Sequence, residues 1–446
     1  MTRADDVAAF VARCAAGDFP PDVLHQARRC LVDLIGVAAA GSRTELSRVI
    51  SDHAATHFAA GRNMESAPLL FRADHRTSPS GSALANGMTI DSFDAHDGHP
   101  LTKGHAGCGI FPALFALAAA EEPEMAFARF LGLLVAGYEI AIRAGISLHA
   151  TAPDYHTSGA WVAVGAAALG GHVLGLDAGP FRHALGIAEY HGPRSQMMRC
   201  IDHPTMLKDG SGWGAMAGVS AAYLARDGFT GAPAITLEDE TTAEIWSDLG
   251  ERWRMMEQYF KPYPVCRWAQ PAVEAVLQAV ARSGRPPAGI DSIRIFSFHE
   301  ATRLAARRPQ STEEAQYSLP FPVAAAALRG RIGLAEVSDA ACRDNEILAL
   351  ADRIILVDDP VFSAEFPAER WARAEVTFSD KTVANSDAVR ARGDAVEPLS
   401  DEEILAKFRA LMADSGHGKL ADGLEAFVWR PVSGARVRDF VSLFSP

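Results

Sequence analysis

Three carboxylates, three histidines and one lysine fall within fifteen residues of this chain, DSFDAHDGHPLTKGH (91–105). Asp91, Asp94 and Asp97 stand among His96, His99, Lys103 and His105, and the run AGCGIFPALFALAAA (106–120) that follows has the composition of a buried helix. Such a cluster is costly against an apolar core unless its charges are paired or used. Carboxylates and imidazoles held together are suited to proton transfer. The chain repeats the arrangement. HTSGAW (156–161), MLKDGSGWG (206–214) and KPYPVCRW (261–268) each set a His or Lys in a Gly- or Pro-marked turn.

Other chemistries lack their signatures. There is no G-x-G-x-x-G after a strand, no Walker motif, no G-x-S-x-G and no H-E-x-x-H. The six cysteines, Cys14, Cys30, Cys108, Cys200, Cys266 and Cys342, form no C-x-x-C, so they read as buried thiols, Cys266 among them. No spacing of His, Cys or acid predicts a metal site. His96 and His99 would share a helix face, but Gly98 and Pro100 argue against a helix there.

The elements that must carry these residues follow from periodicity. PPDVLHQARRCLVDLIGVAAAG (20–41), AFARFLGLLVAGYEIAIRAGISLHA (126–150), WVAVGAAALGGHVLGLD (161–177) and SGWGAMAGVSAAYLARDG (211–228) read as helices, two of them rich in Ala and Gly for close packing. Past residue 268 the pattern changes. IDSIRIFSF (290–298), DRIILVDD (352–359) and RAEVTFSDKTVAN (373–385) read as strands, the last with a hairpin turn at SDK. PAVEAVLQAVARSG (271–284), YSLPFPVAAAALRG (317–330) and SDAACRDNEILALAD (338–352) read as helices. SDEEILAKFRALMADSG (400–416) opens with a Ser N-cap and acids in its first turn. The predicted fold is therefore mainly α with a smaller α+β domain. A helical domain spans 1–268 and is completed by 400–446, and the α+β insert spans 269–399.

Composition narrows the function. With 446 residues, 48% apolar and 22% charged, the chain reads as a soluble globular protein of about two domains. A net charge of −13 argues against a nucleic-acid partner. No apolar run suggests a membrane span, and the first residues show no signal-peptide pattern, so a cytoplasmic enzyme is expected. Against that negative field an anionic substrate needs local cations and donors, for which Lys103, Lys261, Arg267 and Tyr317 are candidates. Arg143 is expected to pair with Glu139 one helical turn earlier.

DSFDAHDGHP with HAGCGIFPALFALA, HTSGAWVAVGAAALGGHVLGLD, LKDGSGWGAMAGVSAAYLARDGFTG, FKPYPVCRWAQPAVEA and AQYSLPFPVAAAAL occur in the order of the MmgE/PrpD family, which the chain resembles over nearly its whole length. The resemblance implies a homodimer, an active site in the cleft between a helical and an α+β domain, and chemistry on polycarboxylates with no metal or organic cofactor. On matching positions it implies catalytic roles for His105, His156, Lys208 and Lys261, with Asp94 in register and Asp91 as a stand-in for a displaced acid. The family's D-F-D-D run is SFDA here, placing Ser92 and Ala95 where acids stand, and Gln270 replaces a common histidine. The chain also runs one residue short after Lys208.

These departures fall where dehydrating and decarboxylating members keep acid/base groups, and the nearest resemblance is to an iminodisuccinate epimerase. The expected function is therefore a cofactor-independent epimerase. It would invert a carbon α to a carboxylate in iminodisuccinate or a similar polycarboxylate by proton removal and return. The alternative is a lyase of the 2-methylcitrate dehydratase or cis-aconitate decarboxylase type.

Overall fold

A computed structural model describes residues 2–62 and 66–444. The chain forms two compact units. The first comprises Met1–Cys200, Leu207–Tyr259 and Ser400–Pro446, and the second Ile201–Met206 and Phe260–Leu399. The fold is mainly helical, with the larger sheet confined to the smaller unit.

Six helices frame the part of the first unit that matters for chemistry: Pro21–Gly41, Pro79–Asp91, Gly107–Glu121, Phe127–Thr151, Gly159–Val173 and Ser211–Arg226. Small residues bring three of them close. A Cβ on Gly87 would fall 2.5 Å from the Gly212 Cα, and one on Gly214 would fall 2.2 Å from the Gly159 carbonyl oxygen. The Ser211–Arg226 helix therefore packs backbone to backbone against Pro79–Asp91 and Gly159–Val173. This approach brings the end of one helix (Asp91) against the start of another (Ser211).

Phe127–Thr151 is long and apolar enough to cross a membrane, contrary to the sequence reading, but 94% of its most apolar window is buried inside the protein. It is a core helix. The Asp401–Asp414 helix, started by a Ser400–Glu403 capping box, returns to the first unit. There Lys407 Nζ donates to Asp33 Oδ1 and to the Ala95 carbonyl, both at 2.6 Å. A short hairpin of β1 (Ala67–Leu69) and β2 (Arg72–Thr77) interrupts the helices. Periodicity missed it because the strands are brief and β2 is polar.

The second unit is built on a sheet of β3 (Ile290–Ser297), β4 (Ile354–Asp358), β5 (Trp371–Phe378), β6 (Val383–Asn385) and β7 (Val389–Arg390). The order is β4-β3-β5-β6, with β7 also on β5. β3 and β4 run parallel, and the other pairs are antiparallel. β5 alternates half-buried and buried residues, and Lys381 at φ 70° turns the chain back after it. Helix Gln270–Ser283 packs on this sheet. The longer segment of the unit begins at Phe260, not 269, so Lys261 and Arg267 belong to it. The helix read over 338–352 is two pieces, Ala341–Arg343 and Asn345–Ala351, because the Asp344 carboxylate caps a new start at Glu346 and Ile347.

Candidate active site

The segment 91–105 is not a solvated loop. Asp91, Asp94, His96, Asp97, His99 and His105 are all buried, and only Pro100, Leu101 and Lys103 are exposed. His96 Nε2 lies 3.6 Å from Asp91 Oδ1 and 3.8 Å from Asp94 Oδ1. The His96 and His105 rings meet edge to face at 4.3 Å. His105 Nδ1 lies 2.6 Å from the Asp97 carbonyl oxygen. A carbonyl only accepts, so Nδ1 carries the proton and Nε2 is the nitrogen left for chemistry. Gly98 makes this approach possible, since a Cβ there would fall 2.8 Å from His105 Nδ1 and 2.4 Å from the Tyr259 hydroxyl.

Burial sets the charges. It raises Asp91 to about 6, although Lys208 and the Ser211 N–H draw it back. The Ser211 N–H donates to Asp91 Oδ2 at 3.1 Å. Burial likewise raises Asp97 to about 7, against a hydrogen bond of 2.5 Å from the Tyr138 hydroxyl. A group near neutrality can exchange protons at physiological pH, which an ordinary carboxylate cannot.

Lys208 is presented by a strained turn. It has φ 48°, and Gly210 follows at φ 62° as the residue before the Ser211–Arg226 helix. The Lys208 side chain is buried, and its charge acts on Asp91. A cavity of about 220 Å³ opens beside this turn, lined in part by Thr157, Arg199, Leu207, Lys208 and Trp213.

Asp209 shares the turn. Its Oδ2 accepts from Ser158 Oγ at 2.6 Å and lies 4.0 Å from His105 Nε2. Burial raises Asp209, and His105 opposes the rise. Neither Asp209 nor Ser158 stood out in the sequence. The signal for Asp209 was its place beside Lys208 in a glycine-framed turn. Ser158 had none, because its partners are 51 and 53 residues away.

The remaining predicted residues divide between the units. His156 is in the first, two residues before Ser158. Its Nδ1 lies 2.9 Å from the Asp154 carbonyl, and burial lowers its pKa, which leaves the His156 Nε2 as an acceptor. Lys103 is exposed, with its ammonium 5.6 Å from the centre of the Tyr155 ring. Lys261, Arg267 and Tyr317 are buried in the second unit. There Arg267 pairs with Asp394 at 2.5 Å and the Cys266 N–H donates to the Gln316 carbonyl. His99 leaves the cluster that the sequence suggested. Its Nε2 lies 3.2 Å from Glu257.

Two donor groups have the spacing of a metal site, which sequence spacing did not indicate. Asp91, His96 and Cys108 offer atoms within 4.8 Å of one another, as do Asp94, His96 and His105. Chain separation hid them, since the donors come from a helix end, a loop and the next helix. By chemistry these mixed donors would suit a divalent transition ion. The same side chains also form acid–imidazole pairs in the protein alone, with Lys208 as a neighbouring cation.

A helical unit carrying a buried acid–imidazole–lysine cluster, in one chain with an α+β unit, has the features of an acid–base enzyme. The chain belongs to the MmgE/PrpD family: the family's N-terminal domain matches residues 5–250 and its C-terminal domain residues 263–428. It is 22% identical to a cis-aconitate decarboxylase-like protein, oryM, of Aspergillus oryzae over 98% of this chain and 96% of that one. It is 24% identical to the cis-aconitate decarboxylase of Homo sapiens, covering 88% of this chain and 84% of the relative. It is 28% identical to the 2-methylcitrate dehydratase of Cupriavidus necator over 56% of this chain and 57% of the relative.

These relatives correct the expected reaction. Each is named for decarboxylation or dehydration, both lyase reactions, and none is an epimerase. The epimerase, the isomerase class and the iminodisuccinate substrate are therefore set aside. The error has a physical origin. Ser92 and Ala95 were read as lost acids, yet Ser92 Oγ donates to the Thr89 carbonyl at 2.7 Å at a helix end. Gln270 ties its amide to the Tyr263 and Val265 carbonyls at 2.7 and 2.8 Å. Carboxylates are not missing from the cluster, because Asp91 and Asp209 join Asp94 there.

Proposed function

We propose that the chain is a lyase that removes water from a small hydroxylated polycarboxylate. The observation that carries this reading is the opposite setting of the two histidines. Burial lowers His156 and leaves Nε2 as a neutral acceptor, whereas the His105 Nε2 faces carboxylates. A neutral acceptor and an imidazole set beside carboxylates supply a base and an acid. Ser158 links their segments, accepting from the His105 N–H at 2.9 Å.

In this reading His156 Nε2 takes the proton from the carbon α to a carboxylate. The electron pair of that C–H bond becomes the new C=C bond as the neighbouring C–O bond breaks. The leaving hydroxide takes the Nε2 proton of His105 and departs as water. Lys208 binds the carboxylate on which negative charge grows, a contact that strengthens in the transition state. Asp91, near its titration point, and Asp94 complete the acid wall. The family resemblance supports substrate-binding roles for Lys261, Arg267 and Tyr317, and Lys103 is a surface cation suited to an anion. The names of the relatives support a citrate- or aconitate-like substrate. The family resemblance supports a homodimer, and composition supports a cytoplasmic setting.

The test is NMR of purified protein with citrate, 2-methylcitrate and cis-aconitate. Alkene formation with loss of water from either hydroxy acid is expected. Carbon dioxide release from cis-aconitate alone would move the protein to the decarboxylases, and inertness towards all three would end the lyase reading.

A further inference from the structure

The backbone that carries Asp94, His96 and Asp97 is fastened beyond them by paired bonds. The Gly98 N–H donates to the Tyr259 carbonyl at 3.0 Å, and the Tyr259 N–H to the Gly98 carbonyl at 2.8 Å. Between Asp94 and His96 it is held by a lysine that takes no part in the proton transfers. Lys407 Nζ donates to the Ala95 carbonyl and to Asp33 Oδ1, both at 2.6 Å. That carbonyl lies in the planar peptide shared with His96, so its direction sets where the His96 side chain starts. His96 lies 3.6 Å from Asp91 and 3.8 Å from Asp94, and its ring meets that of His105 at 4.3 Å.

Packing aims the lysine. A Cβ on Gly36 would fall 3.1 Å from the Phe408 Cα, so the Pro21–Gly41 and Asp401–Asp414 helices meet closely one residue from Lys407. Asp33 precedes Gly36 by about one helical turn. Its carboxylate is buried and the lysine nearly so. Asp33 balances the ammonium charge, and the ammonium keeps further protons for the Ala95 carbonyl. The Asp401–Asp414 helix follows directly after the chain leaves the second unit at Leu399. The 91–105 segment is thus braced by a residue 312 positions further along the chain.

We propose that Lys407 is a positioning residue. By holding the Ala95–His96 peptide it fixes His96, and through the ring contact His105, in the arrangement that proton transfer requires. The proposal rests on the lyase reading for its rate readout alone. Misplacing a reacting group by about 1 Å can cost about a hundredfold in rate.

The experiment compares the full-length protein with Lys407→Met and with Lys407→Met combined with Asp33→Asn. The single change leaves the Asp33 carboxylate buried without its ammonium, whereas the double change removes the ion pair whole. Hydrogen-exchange mass spectrometry reads the 94–98 backbone, and kcat, KM and Tm are measured with 2-methylcitrate, citrate and cis-aconitate. Lys407→Met should lower Tm and speed exchange at 94–98 by at least about tenfold. Its kcat should fall about tenfold to a hundredfold with KM within about twofold of the wild type. In the double variant Tm should recover towards the wild type while exchange stays fast and kcat stays low. A kcat that recovers together with Tm would show an ion pair that serves folding alone and would overturn the proposal. Wild-type exchange at 94–98 in the double variant would overturn it as well. If Lys407→Met does not fold, the double variant carries the test. If the wild type turns over none of the three acids, the lyase reading ends and the exchange rates alone decide the brace.

Discussion

The first unit buries two polar regions, and they are built on opposite accounts of charge. One surrounds Arg143. This guanidinium is bound to Glu139, to Asp248 Oδ1 at 2.7 Å and to the Arg252 carbonyl at 2.8 Å. Glu139 also accepts from the Arg254 and Met255 N–H groups at 3.1 and 2.7 Å. Arg252 and Arg254 hold Glu257, so Arg143, Arg252 and Arg254 face Glu139, Asp248 and Glu257. The other region gathers Asp91, Asp94, Asp97 and Asp209 around His96 and His105, with Lys208 as the nearby lysine. The balanced region fixes the backbone. The acid-rich region holds groups whose protonation is undecided near neutrality, the property a proton-transfer site requires. His99 belongs with the first through Glu257, although in sequence it is flanked by Asp97 and His105 of the second.

The largest effect should come from unbalancing the balanced region. Arg143→Met leaves Glu139 buried without its guanidinium and should cost about 3–5 kcal/mol in urea denaturation. A loss under about 1 kcal/mol would mean that this network is no tighter than a surface ion pair. Removing charge from the acid-rich region should act on turnover instead. Lys208→Ala and His156→Ala should each lower kcat at least about a hundredfold with Tm nearly unchanged. Wild-type rates in both would remove these residues from the site.

The two regions should also respond to pH in opposite directions. Burial raises Asp91 to about 6 and Asp97 to about 7, so their contribution to stability is fully present below about 4 and is lost as pH rises through those values. Glu257 is lowered to about 2, where the His99 and Arg252 hydrogen bonds outweigh burial. Its contribution is present above its ordinary value and is lost as pH falls towards 2. Denaturation midpoints between pH 2 and 8 should therefore peak on the acid side of neutrality. Asp91→Asn should flatten the decline above pH 4. An identical decline in that variant would assign it to other groups. The smallest effect expected is from exhaustive chelation, which should leave both rate and Tm unchanged. A stoichiometric metal whose removal ends activity would make the His96 donor groups a metal centre.

Much of the scaffold was legible because helices announce themselves by period. The segments at 20–41, 126–150 and 211–228 are helices in the structure within a residue or two at each end. β3, β4 and β5 were visible through their branched and aromatic residues. The site was legible only as residue types. His105, Asp94 and Lys208 stood out, but what they meet did not. Asp97 finds Tyr138 across 41 residues, and Asp91 finds Ser211 across 120. Such distances carry no periodic trace. Ser92 and Gln270 misled for a related reason, since Asp209 reaches the same acid cluster from another stretch of the chain.

The six cysteines are all buried thiols, and that gives the protein a built-in reporter of opening. Burial pushes Cys14 and Cys342 up to about 12, and Cys30 and Cys108 well above their ordinary value. Alkylating reagents attack an accessible thiolate, so the native chain should resist them. Cys14, Cys30, Cys108 and Cys200 mark the first unit, and Cys266 and Cys342 the second. A mass spectrum taken after brief labelling in rising denaturant would therefore show the order in which the two units come apart.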